Sequence, residues 1–189
     1  MDFGYWVIIV VIVVGIISIA QAGGASEKKK AMRLKFESLP EFFPTQKIMG
    51  SNGVTGLAID EKRKKVVLIN NGPAGIALNP FTYRDMLSSE IFVDGETVTK
   101  TARVSQLGGA IIGGLFLGGV GAIIGGLSGK TSSSEKVKRI ELRITVNDTK
   151  KPLHDINFMD VAGKKDGIIY KGAMDQARHW HGLITVLIK

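Results

Sequence analysis

The chain has 189 residues, no cysteine and a formal net charge of +8. A chain without cysteine fits a reducing compartment, although this does not exclude export. The positive charge would suit nucleic acid or the anionic inner leaflet of a membrane. Because the sequence has no recognition helix, no zinc-finger spacing and no basic strand interleaved with aromatics, it predicts no nucleic-acid partner.

The first element in chain order is an uncharged apolar run, FGYWVIIVVIVVGIISIA, from Phe3 to Ala20. A bilayer core about 30 Å thick needs about 20 mostly apolar residues in a helix, so this run predicts a transmembrane anchor over residues 1–22. Tyr5 and Trp6 are then expected to contact lipid at the headgroup level. The alternative is a cleaved signal peptide, for which Ala20-Gln21-Ala22 resembles a cleavage site.

Basic residues follow this run, and none precedes it apart from the amino terminus. This distribution predicts a single-pass protein of the cell membrane whose carboxyl-terminal domain is cytoplasmic. Residues 23–35 are interpreted as a basic juxtamembrane linker. The side chains expected to lie on the anionic leaflet are Lys28, Lys29, Lys30, Arg33 and Lys35.

From residue 36 onward, short runs rich in β-branched residues predict antiparallel strands. The predicted strands cover residues 54–59, 65–69, 86–93, 97–101, 138–146 and 153–158. A charged turn joins the first two, and Asp94-Gly95 is a hairpin signal between the next two. Residues 70–73 and 80–84 are interpreted as turns. The cleanest half-buried strand is KRIELRITV, in which alternate positions are apolar.

The carboxyl end changes from a period of two to the period of a helix. Apolar residues recur there at intervals of three or four, at Ile169, Ala173, Ala177, Trp180, Ile184 and Leu187. This spacing predicts an amphipathic helix from about residue 167 to the terminus, with Asp166 as its N-cap and Trp180 in the core. Strands followed by one helix indicate a small antiparallel sheet or barrel closed by a helix.

A glycine-rich insert, LGGAIIGGLFLGGVGAIIGGLSG, interrupts the strands. Each glycine in a helix costs about 1 kcal/mol relative to alanine, so close contact with another backbone must offset that cost. The packing positions proposed from the four-residue spacing are Gly109, Gly113, Gly114, Gly118, Gly121, Gly125 and Gly129. The insert is interpreted as a hairpin over residues 105–134 that dips into the inner leaflet, packs on the anchor or pairs with another copy.

Two other interpretations of the insert are open at this stage. It could be a glycine-rich hairpin buried within the soluble domain. It could also be a nucleotide loop, but the ending Gly129-Lys130-Thr131 follows Gly125 one residue too closely for a P-loop and does not run into an apolar helix. No cofactor is therefore predicted.

The sequence carries no recognisable catalytic or metal-binding pattern. His179 and His181 are two apart on a predicted helix and point to different faces, whereas metal pairs on helices need a spacing of three or four. His154 stands alone on a strand. The carboxylates near Asp60 and Asp94 flank predicted turns, where such residues are common. The sequence therefore predicts a protein that is not an enzyme.

Four segments carry a resemblance to a known family: GLAIDEKRKKVVLI, SSEIFVDGETVTKT, the glycine-rich insert with its flanks, and YKGAMDQARHW. Over roughly residues 45–189 the chain resembles a family of bacterial and prophage-borne proteins in which a pleckstrin-homology-like domain is interrupted by a glycine-zipper hairpin. The resemblance implies a fold and a membrane role, and no reaction.

These observations predict an α+β fold with three parts: the anchor at 1–22, the linker at 23–35, and a pleckstrin-homology-like domain at 36–189 interrupted by the insert. The function expected is a membrane-tethered interaction module that binds an unknown protein or an anionic lipid. The alternative is a membrane-active exclusion or immunity protein of prophage type that oligomerises through the zipper.

Overall fold

The computed structural model describes residues 26–103 and 136–189. A helix, α1, covers residues 26–37. The strands are β1 (Gln46–Met49), β2 (Thr55–Asp60), β3 (Lys65–Gly72), β4 (Gly75–Thr82), β5 (Met86–Val93), β6 (Glu96–Ala102), β7 (Lys136–Val137), β8 (Ile140–Val146), β9 (Leu153–Met159) and β10 (Gly163–Lys164). A 3-10 turn, Tyr83–Asp85, precedes β5, and helix α2, Ile168–Ile188, ends the fold.

The first sheet is an antiparallel meander in the order β1-β2-β3-β4. The predicted hairpin between residues 54 and 69 is confirmed as β2 and β3, with Asp60 opposite Lys65 at its turn. Both faces of this hairpin are covered, so β2 is an almost continuous buried run rather than an alternating one. Leu57 faces the hydrophobic cluster between the two sheets and α2, called the main core below, whereas Ala58 faces α1.

Strand β4 was not predicted from the sequence. The turn expected at 70–73 begins later, because residues 70–72 still pair with β4 and the tight reversal lies between Gly72 and Gly75, where Gly75 has a φ of +100°. The chain then runs back beside β3 as far as Thr82. Pro80 had indicated a turn, but proline is tolerated here because β4 is the edge strand of its sheet.

The second sheet has the order β6-β5-β8-β9. The predicted hairpin at Asp94-Gly95 is confirmed: both residues have positive φ, +51° and +89°, as a two-residue hairpin turn of the primed type requires. The alternation in β8 is also confirmed, because the apolar positions are buried and the positions between them are half-buried. Strand β9 pairs with β8 as predicted.

Helix α2 closes the second sheet and packs mainly against β5, β8 and β9. Trp180 is buried, as predicted, and so are Ala173, Ala177 and Ile184. Two details were wrong. The N-cap is Gly167 rather than Asp166, and Ile169 lies outside the buried face, with 57% of its surface exposed.

The hydrophobic residues form two clusters on opposite sides of the first sheet. The larger one joins the inner faces of both sheets to α2. The smaller one joins α1 to the outer face of β2 and β3 through Met32, Phe36 and Val67. The first sheet is therefore sandwiched between α1 and the main core.

The predicted fold class, α+β with an amino-terminal transmembrane helix, is wrong as stated and needs correction. The described chain is mostly β-sheet, divided into two four-stranded sheets and one two-stranded pair. Neither helix in the described ranges is long and apolar enough to cross a membrane. The physical reason is that α1 is densely charged, and that α2 is apolar on one face only. That face of α2 is buried in the larger hydrophobic cluster. Residues 1–22 and the predicted hairpin at 105–134 lie outside the described residues.

Candidate membrane-contact surface

Helix α1 is held on the domain by two side chains spaced four residues apart. Met32 and Phe36 are fully buried and contact the apolar outer face of β2 and β3. A four-residue spacing places both on one face of a helix. The segment that had been interpreted as linker up to residue 35 is thus helical from residue 26 and contributes to the core.

The opposite side of α1 is strongly basic. Lys30, Arg33 and Lys35 lie on or beside it and are exposed. Lys28 and Lys29 precede Met32 by four and three residues, which places them nearer the buried side of the helix, where Lys28 is exposed and Lys29 half-buried. Leu34 lies among the first three with 58% of its surface exposed. A basic helix face that also carries an exposed leucine is typical of helices that lie on anionic membranes.

One acidic residue of α1 is engaged elsewhere. The Glu37 carboxylate accepts a 2.8 Å hydrogen bond from Lys47 Nζ, and this bond lowers the pKa of Glu37. The pair ties the end of α1 to β1. The charge of Arg33 also lowers the pKa of Glu37. None of the basic residues of α1 belongs to the ion pairs found in the described chain.

The other predicted contact residues cannot be placed. Tyr5 and Trp6 lie outside the described residues, as do the seven zipper positions Gly109, Gly113, Gly114, Gly118, Gly121, Gly125 and Gly129. Their roles remain predictions from spacing and composition.

A serine and a histidine meet between β5 and α2. Ser89 Oγ lies 2.9 Å from His181 Nδ1, and Thr101 Oγ1 lies 3.4 Å from His181 Nε2. Burial lowers the pKa of His181 and so favours the neutral ring. Ser89 is fully buried, and a nucleophile must be reached by its substrate. The pair is therefore suited to fixing α2 on the sheet.

A cavity of about 210 Å³ lies between β9 and the ends of β2 and β3. His154, Lys151 and Asn70 are among its lining residues. Burial lowers the pKa of His154, whose Nε2 has no hydrogen-bond partner. The cavity is smaller than the roughly 300–1,000 Å³ of ordinary small-molecule sites.

The outer face of the second sheet carries a row of alternating charges. Lys100, Glu90, Arg143 and Asp155 lie opposite one another across β6, β5, β8 and β9. Arg143 donates two hydrogen bonds to Asp155, of 2.7 and 2.8 Å, and Lys100 Nζ lies 2.8 Å from Glu90. The row was not predicted, because it depends on the register of four strands. Since its charges are neutralised within the sheet, it is a structural feature.

No group of three or more metal-ligating side chains occurs within the two described ranges. His179 and His181 do point in different directions, as their spacing predicted: His181 contacts Ser89, and His179 is exposed with its ring edge near Trp180.

Residues 46–160 match the family described as glycine zipper containing PH domain. This match covers more than half of the chain, and the chain belongs to that family. The resemblance drawn from the sequence is thereby confirmed.

Two relatives are similar in sequence to part of this chain. The immunity protein of Bacillus phage SPbeta is 38% identical over 116 residues, which cover 57% of this chain and 56% of the relative. An SPbeta prophage-derived uncharacterized membrane protein, YomJ of Bacillus subtilis (strain 168), is also 38% identical over 116 residues, which cover 49% of its length. The match thus spans about half of each relative. No solved structure matches this chain.

Proposed function

We propose that this chain is a non-enzymatic, membrane-associated module whose basic helix face contacts anionic lipid. The observation that carries the proposal is the two-sided character of α1. One side is fixed in the core by Met32 and Phe36, and the other presents exposed basic side chains around Leu34. One relative, YomJ, is named a membrane protein, which supports the same location.

Electrostatics provides the physical basis for this contact. Each basic side chain near an anionic leaflet contributes about 1 kcal/mol of attraction, which fades within a Debye length of about 8–10 Å. Several such residues on one rigid helix act together without the entropic cost of ordering a flexible tail. Leu34 would add a small apolar contact at the headgroup boundary.

The non-enzymatic part of the proposal rests on the polar groups described above. Ser89 and His181 have the spacing of a nucleophile and its base, but Ser89 is fully buried. The cavity beside His154 is too small for most substrates.

The test uses a protein that starts at Gly23 and vesicles of stated charge. It should bind vesicles containing phosphatidylserine at low salt and be released at high salt. Replacing Lys30, Arg33 and Lys35 by glutamine removes about 3 kcal/mol of attraction, so affinity should fall about 100-fold.

A matched variant removes the same charge elsewhere, through Lys62→Gln, Lys150→Gln and Lys189→Gln at exposed positions. Its affinity should stay within a few-fold of the parent protein. Equal binding to neutral vesicles, or equal losses in the two variants, would contradict the assignment to α1.

The second candidate function is immunity of prophage type, favoured by the phage SPbeta relative, which is named an immunity protein. An SPbeta-like phage should then form fewer plaques on cells that express this chain. The glycine spacing gives the control: Gly114→Leu with Gly118→Leu adds volume where backbones would approach, so protection should be lost if close packing is needed. An unchanged number of plaques on cells that express the original chain would rule this function out for that phage.

A further inference from the structure

Three large aliphatic side chains lie uncovered where α2 begins. The exposed fractions are 62% for Val161, 88% for Ile168 and 57% for Ile169. They lie around one loop, because a Cβ placed on Gly163 would lie 3.9 Å from the Cβ of Ile169, Val161 is two residues before Gly163, and Ile168 is next to Ile169 in the chain. Single exposed aliphatics are ordinary, but a contiguous group marks a contact surface. We name these three residues the aliphatic tip.

Lysines lie close to the aliphatic tip, and the nearest is Lys164, whose carbonyl oxygen would be 3.0 Å from a Cβ placed on Gly167. Lys136 and Lys164 are directly opposite each other in the β7–β10 pair, and Lys138 and Lys171 are also exposed nearby in sequence. Like charges directly opposite each other destabilise a strand pair. An anion between these two lysines would remove that repulsion.

The start of α2 adds positive potential to the same place. Its N-cap, Gly167, makes no side-chain capping bond, and the first turn contains no acidic residue. The first N–H groups of the helix thus lack the usual side-chain acceptor, and the helix dipole places partial positive charge there. Two acidic residues, Asp160 and Asp166, are close to the start of α2 in sequence. The four lysines named above outnumber them.

We propose that the aliphatic tip inserts into the headgroup and acyl boundary of an anionic bilayer while the nearby lysines contact lipid phosphates. The inference rests on the proposed membrane association and adds a second, apolar contact to the basic face of α1. Aliphatic residues close to lysines match a surface whose apolar interior lies beneath negative headgroups.

The test uses the full chain reconstituted in phosphatidylglycerol-containing nanodiscs. Because the sequence contains no cysteine, Ile168→Cys gives a single site for an environment-sensitive fluorophore. Val186→Cys is the matched control, since Val186 is also an exposed aliphatic residue of α2 but lies near its other end. The probe at 168 should shift to the blue and be quenched by lipids with a shallow nitroxide, and the probe at 186 should do neither.

Charge removal gives a second readout. Lys136→Gln with Lys164→Gln should reduce the inserted population of the 168 probe by about an order of magnitude. Disc-bound protein with an aqueous probe at 168 would overturn the tip assignment and leave the proposed function standing. A chain that does not associate with lipid at all would overturn both. A blue shift that appears without lipid as protein concentration rises would assign the tip to contact between copies and overturn the bilayer assignment.

Discussion

Asp60 shows how one buried carboxylate can connect two parts of the fold. It accepts hydrogen bonds from the backbone N–H of Phe43, at 2.9 Å, and of Arg63, at 3.1 Å. Asp60→Asn keeps the size of the side chain but replaces one acceptor oxygen by a donor. The free energy of unfolding should fall by about 1–3 kcal/mol in urea titration at pH 7. Asp175→Asn, at an exposed position of α2, should change it by less than about 0.5 kcal/mol.

The same carboxylate predicts a response to acid. Burial raises the pKa of Asp60, but the backbone hydrogen bonds and the Arg63 guanidinium outweigh burial and hold it below the ordinary value. The contribution of the Asp60 carboxylate to the free energy of unfolding is therefore complete above the unfolded-state pKa of about 3.9. It is lost as the pH falls through the lower pKa of the folded state. The difference in stability between the original protein and Asp60→Asn should shrink below about pH 4. A difference that is constant from pH 7 to pH 3 would contradict this account.

His154, which is buried, and His181, which is half-buried, predict a separate response at higher pH. Burial lowers the pKa of both His154 and His181, so the folded state holds the neutral rings. Stability from this source is full above the unfolded-state pKa of about 6.5 and falls as the pH drops below it, because the unfolded chain then binds protons first. His181→Gln should flatten the decline of unfolding free energy between about pH 6.5 and 5. An unchanged slope would show that His181 does not contribute.

At the scale of elements, helix α1 should unfold from the domain when its two anchoring side chains are shortened. Met32 and Phe36 are fully buried against the first sheet. Met32→Ala should cost about 2–5 kcal/mol and Phe36→Ala about 3–5 kcal/mol. Hydrogen exchange over residues 26–37 should accelerate in both variants. Leu34→Ala, on the exposed side of the helix, is the control and should leave exchange unchanged.

The elements that the sequence predicted correctly are those with a local signal. Strand β8 has a strict alternation of apolar residues, the Asp94-Gly95 turn has residues that accept positive φ, and α2 has a period of three to four. Each of these signals depends on neighbouring residues and one buried face, so no distant contact is needed to interpret it.

The elements that were missed depend on distant contacts. Helix α1 has only two buried residues among five basic ones, so its charge suggested a solvated linker, and only the outer face of the first sheet makes it a helix with a core side. Strand β4 contains Pro80 and follows a glycine turn, which obscured its pairing with β3. Ile169 fits the helical period, but α2 extends beyond the surface that could bury it.

At the scale of the whole molecule, the glycine-rich insert leaves and re-enters the fold at opposite ends of β5. After β6, Arg103 N donates to Leu87 O at the start of β5, whereas Arg139 O accepts from Asp94 N just beyond its end. At about 3.3 Å per residue these points are roughly 23 Å apart along the sheet. Any segment that joins them must bridge this length, whatever its own conformation.

This separation predicts how short a replacement for residues 104–135 can be. Together with residues 136–138, a linker of three Gly/Ser residues spans at most about 25 Å when fully straight, so closing it should pull β7 from its partner β10 and cost several kcal/mol. A linker of twelve residues reaches more than about 40 Å, and the entropic cost of a flexible loop changes slowly with length, so the unfolding free energy should stay within about 1 kcal/mol of the original. Urea titration of the two variants, followed by Trp180 fluorescence with Trp6 replaced by phenylalanine, measures the difference. Equal stability of both variants would mean that the two ends of the insert lie much closer together than the strand register places them.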